Sequence, residues 1–107
     1  MIKEFESTVT KAELDAEIQN GPVLLDFFSR TCGPCKMLAF VLKNIDKTMG
    51  DNVKFVKIPF EDNKELVTEY NVEGYPTIIM LKDGKEVGRK AGLQQQPVIV
   101  SLINEAL

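Results

Sequence analysis

The run Val23-Leu24-Leu25-Asp26-Phe27-Phe28-Ser29-Arg30-Thr31-Cys32-Gly33-Pro34-Cys35 decides the fold. Val23 to Phe28 is apolar on both alternating faces except at Asp26, which is the pattern of a central strand covered on both sides. Pro34 stands where a helix begins at no hydrogen-bond cost, and Met37, Leu38, Val41, Leu42, Ile45 and Met49 then recur at helical spacing until Gly50. A buried strand therefore feeds a long helix through Cys32-Gly33-Pro34-Cys35.

Upstream, Ile2 to Glu6 reads as a short strand, and Thr10 with Glu13 forms a capping box that opens a helix through about Gln19. Asn20-Gly21-Pro22 stops it. Downstream, Val53 to Ile58 makes the next strand, and Asp62 with Glu65 caps a shorter helix through roughly Tyr70. Thr77 to Lys82 and Glu86 to Ala91 flank Asp83-Gly84, a strong hairpin signal. Pro97 opens a last helix with Val98, Ile99, Leu102, Ile103 and Ala106 inward. Strands that alternate with helices require parallel pairing with right-handed crossovers, and the hairpin adds an antiparallel edge. The expected class is α/β, a three-layer α/β/α arrangement on a mixed sheet, written in short as βαβαββα.

No repeat or linker interrupts the 107 residues, a length that suits one domain over 1–107. Hydrophobic residues at 44% and charged ones at 27% supply one core and exclude a disordered chain. The absence of histidine removes Ser-His-Asp and Cys-His catalysis and most zinc, copper and non-haem iron sites, so no metal is expected. A net charge of −3, with lysines scattered among carboxylates and no glycine-rich phosphate loop, argues against nucleic acid and nucleotides as ligands. Apolar stretches such as Ile78-Ile79-Met80-Leu81 are too short to span a membrane, and the start of the chain lacks a secretion pattern, which points to the cytoplasm. A monomer is the default expectation.

The chemistry lies in the two cysteines. Cys32 falls at a helix N-terminus, where unpaired N–H groups and the macrodipole favour a thiolate, so it is the expected nucleophile. Cys35, one turn further on the same face, is placed to resolve a mixed disulfide on Cys32. Lys36 and Arg30 flank the pair and would favour the thiolate further if they turn toward sulfur. A structural disulfide across so short a loop would stabilise the fold by only about 2 kcal/mol. A zinc site would need carboxylates or a second chain to complete about four ligands.

With these residues in view the chain resembles the thioredoxin family over essentially its whole length. Asp26, Cys32-Gly33-Pro34-Cys35-Lys36, Lys57, Gly74-Tyr75-Pro76-Thr77 and Gly92 carry the likeness. The resemblance implies the thioredoxin fold and a cytoplasmic protein-disulfide reductase with no bound cofactor. Its centre is the redox-active pair Cys32-Cys35, reduced by a thioredoxin reductase that draws electrons from a pyridine nucleotide; its substrates are disulfide-containing proteins. Asp26, on one strand face with Leu24 and Phe28, should be desolvated, with a raised pKa suited to exchanging a proton with Cys35. Lys57 is similar to the family lysine near that carboxylate and would moderate the shift; a solvated strand-end lysine is the alternative. The resemblance also implies that Pro76 is cis and faces the nucleophile, leaving the Tyr75 backbone free to pair with an extended substrate. Gly74 and Gly92 would allow close approach, or serve simply as turn glycines. Thr31, Gly33 and Pro34 complete the expected substrate surface.

The departures are specific. The family usually carries tryptophan immediately before the first cysteine, where this chain has Thr31, and Phe28 occupies a strand position that is often tryptophan; no tryptophan is present. Losing the indole bears on partner range and redox potential more than on the fold. Phe40 replaces a common helix proline, so the usual kink should be weak or absent, and a partly buried Phe40 is expected in preference to a surface aromatic used in docking. Three functions stay open: a reductase, general or dedicated; an oxidase or isomerase on the same fold; and a non-catalytic module that holds one partner at Tyr75-Pro76.

Overall fold

The computed structural model describes residues 1–107. Five strands and four helices follow in order: β1 (Ile2–Glu4), α1 (Lys11–Ile18), β2 (Pro22–Phe28), α2 (Gly33–Met49), β3 (Lys54–Pro59), a 3-10 turn (Phe60–Asp62), α3 (Lys64–Glu69), β4 (Thr77–Lys82), β5 (Lys85–Ala91) and α4 (Gln96–Asn104). The sheet order is β1-β3-β2-β4-β5, with β1 and β2 parallel to β3, β4 antiparallel to β2, and β5 antiparallel to β4. The mixed α/β class expected from the pattern is present. The full order, βαβαβαββα, has one more strand-helix unit than the short string βαβαββα. No helix is long and apolar enough to cross a membrane.

The alternation of β2 builds both layers. Val23, Leu25 and Phe27 join Leu14 and Ile18 of α1 and Leu66 of α3 in one core, while Leu24 joins Leu38, Leu42 and Ile45 of α2 and Ile99, Leu102 and Ile103 of α4 in the other. Each such leucine or isoleucine contributes roughly 1.5–3 kcal/mol by burial, which makes the two cores the main source of stability. The capping box of α1 forms as expected: Thr10 Oγ1 accepts from Glu13 N–H at 3.1 Å, and Glu13 Oε1 accepts from Thr10 N–H at 3.0 Å. At the hairpin, Asp83 and Gly84 take φ of 50° and 80°, the left-handed pair that a two-residue turn needs to match strand twist. Asp83 also accepts from Gly21 N–H at 2.7 Å, tying the turn to the entry of β2.

Four expectations need correction. β1 ends at Glu4, two residues early, although Phe5 N–H still reaches Lys57 C=O. Asp62 does not cap α3. Asn63 occupies that position without a capping bond, because its side chain is spent on longer-range partners, accepting from Val9 N–H and donating to the carbonyls of Ser7 and Pro59. Met37 and Val98 are exposed, not inward. Met37 lies about 100° round the helix from the Leu38-Leu42-Ile45 stripe, too far to reach the sheet. Phe40 is also exposed, at 69%, on an uninterrupted α2.

The sheet brings one set of loops together. Phe28 at the end of β2 pairs with Pro59 at the end of β3, Phe27 pairs with Thr77 at the start of β4, and Thr77 pairs with Ala91 at the end of β5. Residues 29–32, 60–62, 74–76 and 92 therefore emerge at the same edge, beside the N-terminus of α2.

Candidate functional site

Cys32 is the N-cap of the 17-residue α2, with extended backbone at φ −101° and ψ 115°. Its Sγ accepts from Cys35 N–H at 3.1 Å, so sulfur takes the place that a serine or aspartate oxygen usually fills at a helix start. The same interaction stabilises negative charge on that sulfur once it is free. Cys32 and Cys35 are joined in a disulfide with Cα atoms 5.2 Å apart. Both are buried and pack against Phe28, while Gly33 and Pro34 between them are exposed.

Phe28, which packs against the pair, shares its face of β2 with Asp26. Asp26 is wholly buried on the β2 face shared by Leu24 and Phe28, and neither carboxylate oxygen has a hydrogen-bond partner. Burial drives its pKa up to about 7; the charge of Lys57 opposes the rise and that of Glu4 adds to it. Lys57 is the register partner of Asp26 on β3 and is 8% exposed, not a solvated strand-end lysine. Its Nζ pairs with Glu4 Oε1 at 3.4 Å and stands 4.9 Å from the centre of the Phe28 ring.

A second group faces the same edge. The Tyr75-Pro76 bond is cis, and Gly92 N–H donates to Pro76 C=O at 2.8 Å, fixing the 74–76 segment against the end of β5. Thr77 Oγ1 closes the turn by donating to Gly74 C=O at 2.8 Å. Tyr75 is half exposed, its ring edge-on to Phe60 at 5.1 Å, and neither its N–H nor its C=O bonds to any other part of the chain. An unpaired backbone of this kind is what strand addition requires. Gly92 has φ 82° and so depends on glycine, whereas a Cβ at Gly74 would meet nothing.

The loop before Cys32 is held in part by two residues that the sequence did not single out, Ser29 and Glu61. Ser29, buried at the end of β2, donates to Glu61 Oε2 at 2.8 Å, and its backbone carbonyl accepts from Cys32 N–H at 3.4 Å. Ser29 Oγ also lies 3.4 Å from both Thr31 N and Thr31 Oγ1. Arg30 does not turn toward sulfur: its guanidinium pairs with Asp62 at 2.8 Å and Glu61 at 3.7 Å and donates to Glu6 C=O. The hydrogen bond from Ser29, aided by Arg30, holds the Glu61 carboxyl below its ordinary pKa. Thr31, in the place where the family has an indole, thus belongs to a polar clamp. The polar Ser29 directly after an apolar strand was the available signal; nothing in the sequence pairs Glu61 with it.

A cysteine pair capping a helix, with a buried, unpartnered carboxyl on the strand that leads to it, defines a thiol-disulfide oxidoreductase site, and its redox-active group is the Cys32-Cys35 disulfide itself. The family model for thioredoxin matches residues 5–105. The chain is 41% identical to thioredoxin of Bacillus subtilis (strain 168) over 98 residues, spanning 92% of this chain and 94% of that protein. It is 38% identical to thioredoxin of Chlamydia caviae over 97 residues, spanning 91% and 94%. Among solved structures it superposes on a point mutant of thioredoxin from Halobacterium salinarum NRC-1 with a TM-score of 0.83 at 31% identity, covering 97% of this chain and 90% of that one. The chain belongs to the thioredoxin family, and it is a protein-disulfide oxidoreductase.

Proposed function

We propose that the chain works in the reducing direction, as a single monomeric domain of the cytoplasm that reduces disulfides of other proteins and is recharged by a thioredoxin reductase. The observation that carries this reading is the Cys32-Cys35 pair at the start of α2, packed against Phe28 on the same β2 face as Asp26, a carboxyl that takes up and releases its proton at about pH 7. Cys32, as thiolate, attacks one sulfur of the target; the target S–S bond breaks and its other sulfur leaves as a thiol after taking a proton. Asp26 then accepts the proton of Cys35, whose sulfur attacks Cys32 and expels the second target thiol. Two electrons pass to the target and the chain retains the Cys32-Cys35 disulfide, so the centre needs no bound cofactor or metal.

Lys57 tunes Asp26 by opposing the rise in its pKa. Thr31, Gly33, Pro34, Gly74, Tyr75, Pro76 and Gly92 form the surface that receives the target, with the free Tyr75 backbone pairing to an extended strand. Replacing Cys35 with serine should trap a covalent complex through Cys32, and Cys32→Ser should trap none. A reduction potential well below about −220 mV, read by thiol alkylation in redox buffers, would fit a reductant that needs a dedicated donor. A value near about −180 mV or above would place the chain with oxidases or isomerases instead.

A further inference from the structure

The outer face of α2 carries a set of side chains that neither the core nor the redox chemistry uses. Lys36, Phe40, Lys43 and Lys47 fall on one stripe at spacings of three and four, with Met37 and Asn44 along its edge. All six are exposed, Met37 at 59% and Phe40 at 69%. From Lys36 to Lys47 the stripe runs about 16 Å away from the cysteine pair. None of its three lysines has an ion-pair partner, which holds also for Lys64, Lys82, Lys85 and Lys90, whereas Lys3, Lys11, Lys54, Lys57, Arg30 and Arg89 are paired. The one acid of α2, Asp46, is turned to the N-terminal ammonium at 2.5 Å.

The layer on the other side of the sheet has the opposite sign. It places Glu13, Asp15 and Glu17 on α1, and Glu61, Asp62, Glu65 and Glu69 on the 3-10 turn and α3. A chain of net charge −3 thus sets a basic stripe without ion-pair partners on the helix that starts at its nucleophile, with two large apolar side chains within it.

We propose that this outer face of α2 is a docking surface for an acidic segment of the disulfide-bearing partner. The Phe40 ring and Met37 receive an apolar side chain of that segment, and Lys36, Lys43 and Lys47 pair with its carboxylates. The charge is what selects the occupant: acidic residues meet the stripe favourably, while a basic segment is repelled by it. The inference deepens the proposed function and rests on it, since the docked partner must present its disulfide to Cys32.

The test uses two synthetic peptides that share one intramolecular disulfide loop and one leucine in the tail that follows it. One tail carries four glutamates and the other four lysines in their place. Reduced wild-type protein should reduce the glutamate peptide about tenfold faster at about 20 mM salt, and the two rates should converge at about 0.5 M. Lys43→Glu with Lys47→Glu should invert the preference while leaving the rate with a small aromatic disulfide unchanged. Phe40→Ser should slow the glutamate peptide several-fold at both salt concentrations. Equal rates for the two peptides in wild type, or a preference unmoved by the double variant, overturn the proposal with the oxidoreductase reading intact. Failure to reduce either peptide overturns that reading instead. A dimer in sedimentation that the double variant dissolves, or salt-sensitive binding to phosphatidylserine vesicles or a single-stranded oligonucleotide without any peptide preference, assigns the stripe another occupant and overturns the proposal too.

Discussion

Asp26 and Lys57 sit opposite one another in the β2–β3 register, both buried, yet the lysine Nζ pairs with Glu4 and leaves both Asp26 oxygens without a hydrogen bond. A direct contact would hold the carboxylate ionised well into acid. The longer-range arrangement instead leaves burial as the dominant influence, with the lysine as a moderating charge, and the group titrates at about 7.

That value makes stability pH-dependent in a defined direction. Asp26 takes up its proton at about 7 when folded and near 3.9 when unfolded, so between these values the folded state binds more protons. Stability therefore falls as pH rises from about 4 to about 7, by on the order of 4 kcal/mol, and is level above. Glu13, Glu61 and Glu86 are lowered and act with the opposite sign, but only below about 4.3, the unfolded value, so the windows separate. Urea unfolding of the oxidised protein at pH 5, 6, 7 and 8 should show the decline, and Asp26→Asn should flatten it and be the more stable protein at pH 8. A wild-type profile that is flat or rising through this range would refute the assignment.

Lys57→Met should move the same carboxyl in a known direction. Without the opposing charge Asp26 rises further, less of it is ionised at pH 7, and resolution of the Cys32 mixed disulfide slows several-fold at neutral pH. Glu4→Gln removes a charge that pushes the pKa up, and should shift the rate profile the other way. Stopped-flow resolution rates from pH 6 to 9 distinguish the two; a common shift in one direction would mean that the variants act by loosening the Phe28 contact instead.

The sheet and α2 were legible because burial imposes period 2 on β2 and period 3.6 on α2, and because Pro34, Gly50 and Asp83-Gly84 mark their limits. The cysteine pair was legible from spacing at a strand-to-helix junction. What failed was each feature set by a contact distant in sequence. Asn63 caps nothing because Val9, 54 positions away, takes its oxygen, and Arg30 turns from sulfur because Asp62, 32 positions away, takes its guanidinium. Phe40 and Val98 lay one step off an apolar stripe, where periodicity alone does not tell an edge residue from an exposed one.

Gly74 and Gly92 separate two reasons for glycine. Gly92 at φ 82° should lose roughly 1–2 kcal/mol of stability as alanine, since the strain is in the backbone and no neighbour is touched. Gly74→Ala should leave stability within about 0.5 kcal/mol, because its φ is ordinary and its Cβ meets nothing. If the Tyr75 backbone accepts an extended substrate, that methyl intrudes on the partner, and reduction of a protein disulfide should slow while a small aromatic disulfide reacts as before. Equal rates with both substrates in Gly74→Ala would remove Gly74 from the receiving surface.

The polar clamp before Cys32 gives the last expectation. Ser29 Oγ is buried and serves Glu61 and the Thr31 backbone together, so Ser29→Ala removes a hydrogen bond to a carboxylate at the entry to the active-site helix and should cost about 1–2 kcal/mol. Arg30→Ala removes a pair whose partners are more than a third exposed, and should cost under about 1 kcal/mol. The two variants should also differ in chemistry. Because the Ser29 hydroxyl orders the turn whose backbone carbonyl takes the Cys32 N–H, Ser29→Ala should loosen the helix start and raise the Cys32 thiol pKa, which the pH dependence of its alkylation reads directly. Arg30→Ala should leave that alkylation profile in place, since its guanidinium is already committed to carboxylates. A shift in Arg30→Ala equal to that in Ser29→Ala would mean that the cation acts on the sulfur after all.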